Sequence, residues 1–231
     1  SCIDISTVHA DDLPFSIIPR LNAAGRMGTT EVAFDLLISD EPAQAALLAA
    51  ELEKMNSLRR DTEAALSKEA LSRLEKSYDG ERVIVLAGEG WHEGVKGIVA
   101  SRVVSKYHVP SIIFTVSDGI ARGSGRSVGS VDLFHAVEQC SDCLVRFGGH
   151  SGAVGVTCEV QNIATFSSRL QKVIETLREE DFVDKGEVAA IASLSELSLV
   201  NIGEIDILQP FGQGNKRPLF GLRGIFMQNT S

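Results

Sequence analysis

The sequence GSGRS at residues 123–127 places one arginine among glycines, whose missing side chains let a ligand approach the backbone closely. Successive amides in a turn of this kind can form an anion-binding nest. The Arg126 guanidinium can also donate two parallel hydrogen bonds to phosphate oxygens. The alternative is a flexible loop with a solvated arginine, and this segment alone slightly favours that alternative.

A second glycine cluster, FGGHSGAVG at residues 147–155, places His150 directly after Gly148 and Gly149. The imidazole could donate to a phosphate, and backbone amides at a helix start could do the same. A lone histidine is more often structural. Two glycine-framed polar segments in one unit nevertheless favour an anion site more than either segment does alone.

Residues 90–97, GWHEGVKG, follow a predicted strand at the end where α/β sheets usually bind ligands. Trp91 could stack on a nucleobase or fill an edge of the core, and the sequence favours neither alternative. His92 could hydrogen-bond a phosphate or a carboxylate.

Residues 19–28, PRLNAAGRMG, supply Arg20 and Arg26 in a predicted polar turn before a long helix. Asn22 could cap this turn as a structural connection between domains. Alternatively, the arginines face a cleft between domains, and their spacing does not decide between the two.

No catalytic centre is predicted within the chain. No pair of nearby aspartates stands at metal-ligand spacing from a histidine, and there is no Ser-His-Asp signature or Walker loop. The scattered histidines are His9, His92, His108, His135 and His150. We therefore expect no metal bound by this chain and no self-contained hydrolase.

These segments require elements that position them, beginning with a helix from Ser39 or Asp40 to about Ser77. Its length favours a linker between two domains. The apolar face recurs at spacings of three and four through Leu48, Leu52, Met55, Leu58, Thr62 and Ala65.

A β-turn-α-β unit follows, and it predicts an α/β sheet. Its strands are expected at residues 83–87 and 111–116, with helical spacing between them from Val95 to Val103. The later elements are helices near 131–139 and 162–177, a polar boundary at 179–184, a strand near 188–191 and a helix near 197–208.

Composition limits the classes of function. The chain has 231 residues, 44% of them hydrophobic, and a formal net charge of −9. This charge argues against a nonspecific nucleic-acid coat, so a polyanion must meet a local cationic site.

The same composition predicts a cytoplasmic protein without a membrane partner. No apolar run reaches the roughly 18 residues of a membrane helix, and the N-terminal segment lacks a secretory core. The four cysteines, including the Cys140 and Cys143 pair, are expected to be reduced. Both ends of the chain are typical of cuts through a longer protein.

Five segments in order, at residues 19–28, 90–102, 121–127, 146–155 and 210–215, closely resemble the RecJ family of single-strand-specific exonucleases. The resemblance runs from about Ile18 to Phe220. The glycine-histidine cluster resembles the signature of the DHH-associated domain of the DHH phosphoesterase superfamily.

This resemblance implies a two-lobed enzyme whose N-terminal DHH lobe binds Mn²⁺ or Mg²⁺ and activates a water. Residues 1–38 would be the end of that otherwise absent lobe, and 39–78 the long linking helix. Residues 79–182 would be the DHH-associated substrate-binding domain, an α/β domain with a mixed sheet flanked by helices. Residues 183–231 would begin a truncated oligonucleotide-binding-fold-like domain.

The resemblance also implies roles for particular residues. Ser124 and Arg126 match positions at the 5′-terminal or scissile phosphate, and Arg26 reaches that site from the hinge. The family usually has paired alanines after GGH, where this chain has Ala153 and Val154, so a slightly larger side chain stands there. The full predicted substrate-binding set is Arg26, Trp91, His92, Ser124, Gly125, Arg126, Ser127, Gly148, Gly149 and His150.

The expected function is therefore the substrate-binding part of a 5′ to 3′ single-stranded-DNA exonuclease in recombination and repair. This chain alone is expected to be inactive. Its partners would be single-stranded DNA, a single-strand-binding protein and a helicase. Two alternatives remain open: a catalytically inactive RecJ-like scaffold, and a phosphodiesterase for short RNA or cyclic dinucleotides.

Overall fold

A computed structural model describes residue 8, residues 10–212 and residues 214–225. The chain divides into two compact units, Arg20–Asp184 and a second unit formed by Ser1–Pro19 with Lys185–Ser231. The helices are α1 Leu13–Ser16, α2 Ile18–Met27, α3 Glu31–Ile38, α4 Pro42–Ser77, α5 Lys96–Tyr107, α6 Leu133–Glu138, α7 Ile163–Glu175 and α8 Leu199–Ile205. The strands are β1 Ile84–Glu89, β2 Ser111–Ser117, β3 Ile120–Arg126, β4 Arg146–His150, β5 Ala153–Glu159, β6 Ala190–Ala192 and β7 Phe220–Leu222.

The segment at residues 19–28 is mostly the helix α2, and the prediction of a polar turn there is wrong. Ala23 and Ala24 are fully buried and favour a helix, so this stretch is not a solvated turn. Gly28 follows the helix with φ +144°, a backbone conformation that glycine adopts at low cost. Arg26 consequently lies in the last turn of a helix.

The long helix predicted from residue 39 or 40 is present as α4, with Pro42 at its first position. It ends at Ser77, and the amide of the next residue, Tyr78, still donates to the Leu74 carbonyl. Leu66 and Ala70 lie on the face that is buried against the sheet domain.

The five-stranded sheet has the order β1-β2-β3-β5-β4. The strands β1 and β2 are parallel and are connected through α5, whereas the other neighbours are antiparallel. The prediction of a β-α-β unit and a mixed α/β sheet flanked by helices is confirmed.

Two hydrophobic cores cover this sheet on opposite faces. In the first, Phe114 of β2 packs edge to face on Phe166 of α7 at 6.1 Å between ring centroids. In the second, Ile113 of β2 packs against α4 and α5. Because successive strand residues point to opposite faces, Phe114 and Ile113 divide between the two cores.

The cysteines Cys140, Cys143 and Cys158 are free and buried in the first core. Burial raises the pKa of the Cys140 thiol and of the Cys158 thiol to about 11. The prediction that Cys140 and Cys143 are reduced agrees with this environment.

The second unit has a two-stranded parallel sheet of β6 and β7 together with α8. The strand predicted near 188–191 and the helix predicted near 197–208 are present as β6 and α8, with a 3-10 turn at Asp206–Leu208. Residues 226–231 lie outside the described residues.

Candidate functional site

Strand β3 sends its side chains alternately to the two faces of the sheet. Gly123 and Gly125 are buried against the first core. Arg122, Ser124 and Arg126 point from the opposite face, where each keeps some exposure to solvent. One strand therefore presents two arginines and a hydroxyl in a row.

The glycines of β3 are required by close packing. A Cβ on Gly123 would lie 2.7 Å from a Val156 methyl carbon, and one on Gly125 would lie 2.6 Å from a Val154 methyl carbon. The strand is also paired on both sides, with β2 and with β5. The expected turn and amide nest at residues 123–127 are therefore wrong, because the backbone hydrogen-bonding groups of β3 are paired with those of β2 and β5.

Strands β3, β5 and β4 together form a surface that we call the sheet trough. Helix α5 packs on β2 and β3. On the other two strands, Gly155 of β5 and both Arg146 and Gly148 of β4 are exposed. The register aligns three rows of residues across the trough: Arg122 with Thr157 and Arg146, Ser124 with Gly155 and Gly148, and Arg126 with Ala153 and His150.

The middle row of the trough forms an open floor. A Cβ on Gly148 would meet nothing within 4 Å, and one on Gly155 would meet only the Gly148 carbonyl oxygen, at 4.0 Å. Gly149 differs, since it has φ +143° and a Cβ there would lie 2.2 Å from the Ala153 carbonyl oxygen. Gly149 therefore maintains the fold, whereas Gly148 leaves room for a ligand.

At one end of the trough, Arg126 is half-buried beside Ser124 and the first turn of α5. Its Nη1 donates to the Gly125 carbonyl at 2.7 Å and to Ser124 Oγ at 3.3 Å. A Cβ on Gly97 would lie 2.9 Å from Arg126 Nη2, so the absence of a side chain at Gly97 lets the guanidinium lie against α5. Burial lowers the pKa of the Arg126 guanidinium, and the positive charge of Arg26 lowers it further.

Arg26 approaches the same corner from the end of α2. Its Nη1 donates to the Gly94 carbonyl at 3.0 Å. The two backbones meet closely here, because a Cβ on Gly94 would lie only 2.0 Å from the Arg26 carbonyl oxygen. Among the described residues, neither Arg26 nor Arg126 has an acidic partner. Two guanidinium groups without a carboxylate favour an anion between them.

The two predicted histidines have the same local arrangement. His150 Nδ1 accepts the Gly152 amide at 3.2 Å, and His92 Nδ1 accepts the Gly94 amide at 3.1 Å. In each neutral ring the proton is consequently on Nε2, which can donate to a ligand. His150 lies in the row of Arg126, at the exposed edge strand.

Trp91 lies in the second core and is only 6% exposed. Its Nε1 donates to Glu69 on α4 at 3.1 Å, and the Arg73 guanidinium lies 5.1 Å from the ring centroid. Gly88 must be glycine because the indole packs directly on it. Of the two alternatives for Trp91, the structure shows core packing, and the prediction of Trp91 as a substrate-binding residue is corrected.

Gly125 and Ser127 are near the corner but face elsewhere. Gly125 contributes its carbonyl as an acceptor for Arg126. Ser127 donates its hydroxyl to the Val131 carbonyl at 2.6 Å and its amide to the Gly152 carbonyl at 3.0 Å. These bonds hold the loop after β3.

Three basic residues of the trough were not selected from the sequence. Lys96, Arg122 and Arg146 line a cavity of about 380 Å³ at the other end. A strand assignment for 120–126 would have revealed Arg122, because residues two apart share a face. The approach of Arg146 to Arg122 depends on the pairing of three strands, which no local pattern indicates.

Metal-ligating side chains are not clustered in the described part of the chain. No group of three or more His, Cys, Asp or Glu residues there could hold a metal ion. His9 lies outside the described residues. No helix among the described residues is long and apolar enough to cross a membrane.

Comparison with known proteins gives a consistent set of relatives. Residues 80–176 match the sequence model of the DHHA1 domain. The chain is 35% identical over 218 residues to the single-stranded-DNA-specific exonuclease RecJ of Bacillus subtilis, covering 93% of this chain and 28% of that protein.

Solved structures are similar over almost the whole chain. Crystal structures of RecJ from Thermus thermophilus in complex with Mg²⁺ and with Mn²⁺ match at TM-scores of 0.80 and 0.82, both at 31% identity. They cover 92% and 93% of this chain, and 33% and 32% of the crystallised chains. The chain thus spans between 28% and 43% of the length of the RecJ proteins it matches.

Proposed function

Because the chain belongs to the RecJ family and contains a DHHA1 domain, we propose that it is the substrate-binding part of a single-stranded-DNA exonuclease. In this proposal the enzyme removes nucleotides in the 5′ to 3′ direction during recombination and repair. The sheet trough binds the strand, and its Arg126 corner binds the terminal phosphate.

The observation that supports this role is the pair of arginines at one corner. Burial and the nearby charge of Arg26 lower the pKa of the Arg126 guanidinium, and a phosphate between the two arginines would relieve their repulsion. Ser124 Oγ, which already accepts from Arg126 Nη1, is placed to donate to the same anion. The open floor at Gly148 and Gly155 gives the strand access to this corner.

The chemistry assigned to these residues is binding and orientation. Arg126 can donate two parallel hydrogen bonds to phosphate oxygens, and His150 can add a third donor through Nε2. The RecJ structures from Thermus thermophilus contain Mg²⁺ or Mn²⁺. We propose that the full protein uses such an ion to activate the attacking water, while the trough holds the strand in register.

A comparison of Arg126→Ala with Arg126→Lys tests this assignment. Removing the guanidinium should weaken binding of a 5′-phosphorylated oligothymidylate by about 1.5–3 kcal/mol, the range for hydrogen bonds to charged groups. Lysine keeps the charge but lacks the planar fork, so Arg126→Lys should restore only part of this loss. Binding would be measured by fluorescence anisotropy, with 5′-hydroxyl oligonucleotides for comparison.

Arg169→Ala is the matched control. Arg169 is an exposed arginine on α7, which packs on the opposite face of the sheet, and it pairs with Asp142. This variant should bind as the unaltered chain does. Unchanged affinity and unchanged 5′-phosphate preference in an Arg126→Ala protein with a normal melting temperature would contradict the proposed function.

A further inference from the structure

The end of the sheet trough opposite Arg126 is a second basic site. Lys96, Arg122 and Arg146 line a cavity of about 380 Å³, and no carboxylate lines it. Its other walls are small or uncharged, including Gly123, Gly148 and Thr157. The cavity therefore combines positive charge with room for a ligand.

The fold itself brings these three cations together. Arg122 of β3 and Arg146 of β4 pair with the same β5 residue, Thr157, from its two sides. Lys96 is the first residue of α5, and its Nζ donates to the Arg122 carbonyl at 2.8 Å. Three different elements thus direct basic side chains to one place.

The charge at this place is only partly neutralised within the described residues. Glu93 is the one carboxylate paired with the cluster, at 3.6 Å from Arg122, and both side chains are about half exposed. Arg146 and Lys96 form no ion pair with a described residue. Lys96 is partly buried, and this burial lowers the pKa of its ammonium group.

The distance along β3 relates this cluster to the Arg126 corner. Arg122 and Arg126 are four residues apart on β3, about 13 Å at a rise of ~3.3 Å per residue. An extended single strand covers roughly twice the 3.4 Å per nucleotide of the stacked duplex. The step from Arg126 to Arg122 therefore matches about two nucleotides, with the glycine floor facing the first internucleotide linkage between them.

We propose that Lys96, Arg122 and Arg146 form a second phosphate subsite, which binds the second internucleotide phosphate of a strand whose 5′-phosphate lies at Arg126. This inference rests on the proposed function, since it takes the Arg126 corner as the position of the strand end. The subsite recognises a phosphodiester by charge and sets the register of the strand along the trough.

Single methylphosphonate linkages provide the test, because each removes the charge of one chosen phosphate. The probes are 5′-phosphorylated oligothymidylates that are neutral at the first or at the second internucleotide linkage. In the unaltered chain, the neutral second linkage should weaken binding roughly tenfold, as expected for lost hydrogen bonds to a charged group. The neutral first linkage should have a much smaller effect, because Ser124, Gly155 and Gly148 in that row carry no charge.

The variant Arg146→Gln should lose affinity for the fully charged probe, and the penalty for the neutral second linkage should become smaller than in the unaltered chain. Its preference for a 5′-phosphate should remain, because Arg126 is unchanged. Lys96→Gln should behave in the same way and gives a second route to the result if Arg146→Gln melts early. Arg169→Gln, on the other face of the sheet, is the control.

The possible results separate the two proposals. If Arg146→Gln and Lys96→Gln retain the full penalty for the neutral second linkage, the second subsite is wrong although the Arg126 corner stands. If the unaltered chain shows no preference for a 5′-phosphate, the proposed function fails, and the subsite fails with it.

Discussion

Arg126 is partly ordered before any ligand arrives. Its hydrogen bonds to the Gly125 carbonyl and to Ser124 Oγ restrict a side chain that would otherwise lose rotamer freedom on binding. The remaining N–H groups of the guanidinium fork are the ones available to a phosphate. Preorganisation of this kind increases affinity by reducing the entropy lost on association.

The neighbouring glycines Gly148 and Gly149 should respond differently to substitution. Gly148→Ala should fold normally, because its Cβ meets nothing within 4 Å, but its methyl group should reduce single-strand affinity by obstructing the floor. Gly149→Ala should lower the free energy of unfolding by about 1–3 kcal/mol, the cost of a strained backbone conformation. Thermal melting and anisotropy measurements on both variants check this pair, and normal DNA affinity in Gly148→Ala would argue against a strand on the floor.

At the scale of elements, α4 and α5 are joined by ion pairs in two environments. Glu63 is 4% exposed and pairs with Arg59 on its own helix and with Arg102 on α5. Glu75 pairs with Lys106 at 2.6 Å, but both of these side chains are exposed. Since α5 carries Gly97 and Lys96 into the trough, these contacts help to position the site.

Glu63→Ala should therefore destabilise the protein by about 3 kcal/mol. This value is the lower end of the range for removing one partner of a buried ion pair, and it applies because Arg102 is half exposed. Glu75→Ala should leave the melting temperature almost unchanged, because solvent screens an exposed pair. Denaturant titration of both variants checks the contrast. Equal losses would show that burial does not distinguish the two pairs.

The sequence allowed the elements with strong local patterns to be predicted. The helix α4 has apolar residues at helical spacing, and β1 and β2 are short apolar runs, so their interpretation needed no tertiary information. Strand β3 was missed because its glycines are typical of a loop. Their real cause is contact with Val154 and Val156 across the sheet, which is a tertiary constraint.

The candidate site was predictable only in part for a similar reason. The family resemblance identified Arg126 and Ser124, and the structure places both on one face of β3. Trp91 was ambiguous because an aromatic residue after a strand suits either stacking or packing. Its hydrogen bond to Glu69 on α4 shows that the ring packs in the core. No sequence pattern predicts this contact, because the two residues are 22 positions apart.

At the scale of the whole molecule, a formal net charge of −9 coexists with a local concentration of cations. These cations all belong to the unit Arg20–Asp184 and lie on the sheet trough or at its Arg126 corner. They are Arg26, Arg122, Arg126, Arg146 and Lys96. The surrounding negative charge should limit nonspecific binding of nucleic acid elsewhere on the chain. Affinity should then depend on a small number of phosphate contacts.

The salt dependence of DNA binding measures the number of phosphate contacts. For single strands, the logarithm of the association constant falls with the logarithm of salt concentration by about 0.7 per neutralised phosphate. Two subsites predict a slope of about −1.4, and Arg126→Ala should make it shallower by about 0.7. Arg169→Ala should keep the original slope, and binding that is independent of salt would contradict a phosphate-based interface.

The most direct test is a crystal structure of the chain with 5′-phosphorylated trithymidylate. The terminal phosphate should accept two hydrogen bonds from the Arg126 guanidinium at roughly 2.7–2.9 Å and one from Ser124 Oγ at roughly 2.5–2.7 Å, the lengths typical of charge-assisted bonds. The strand should cross Gly148 and Gly155 toward Arg146, with Trp91 still in the core. A terminal phosphate bound away from β3, with Arg126 still bonded only to Gly125 and Ser124, would contradict the proposed role of the trough.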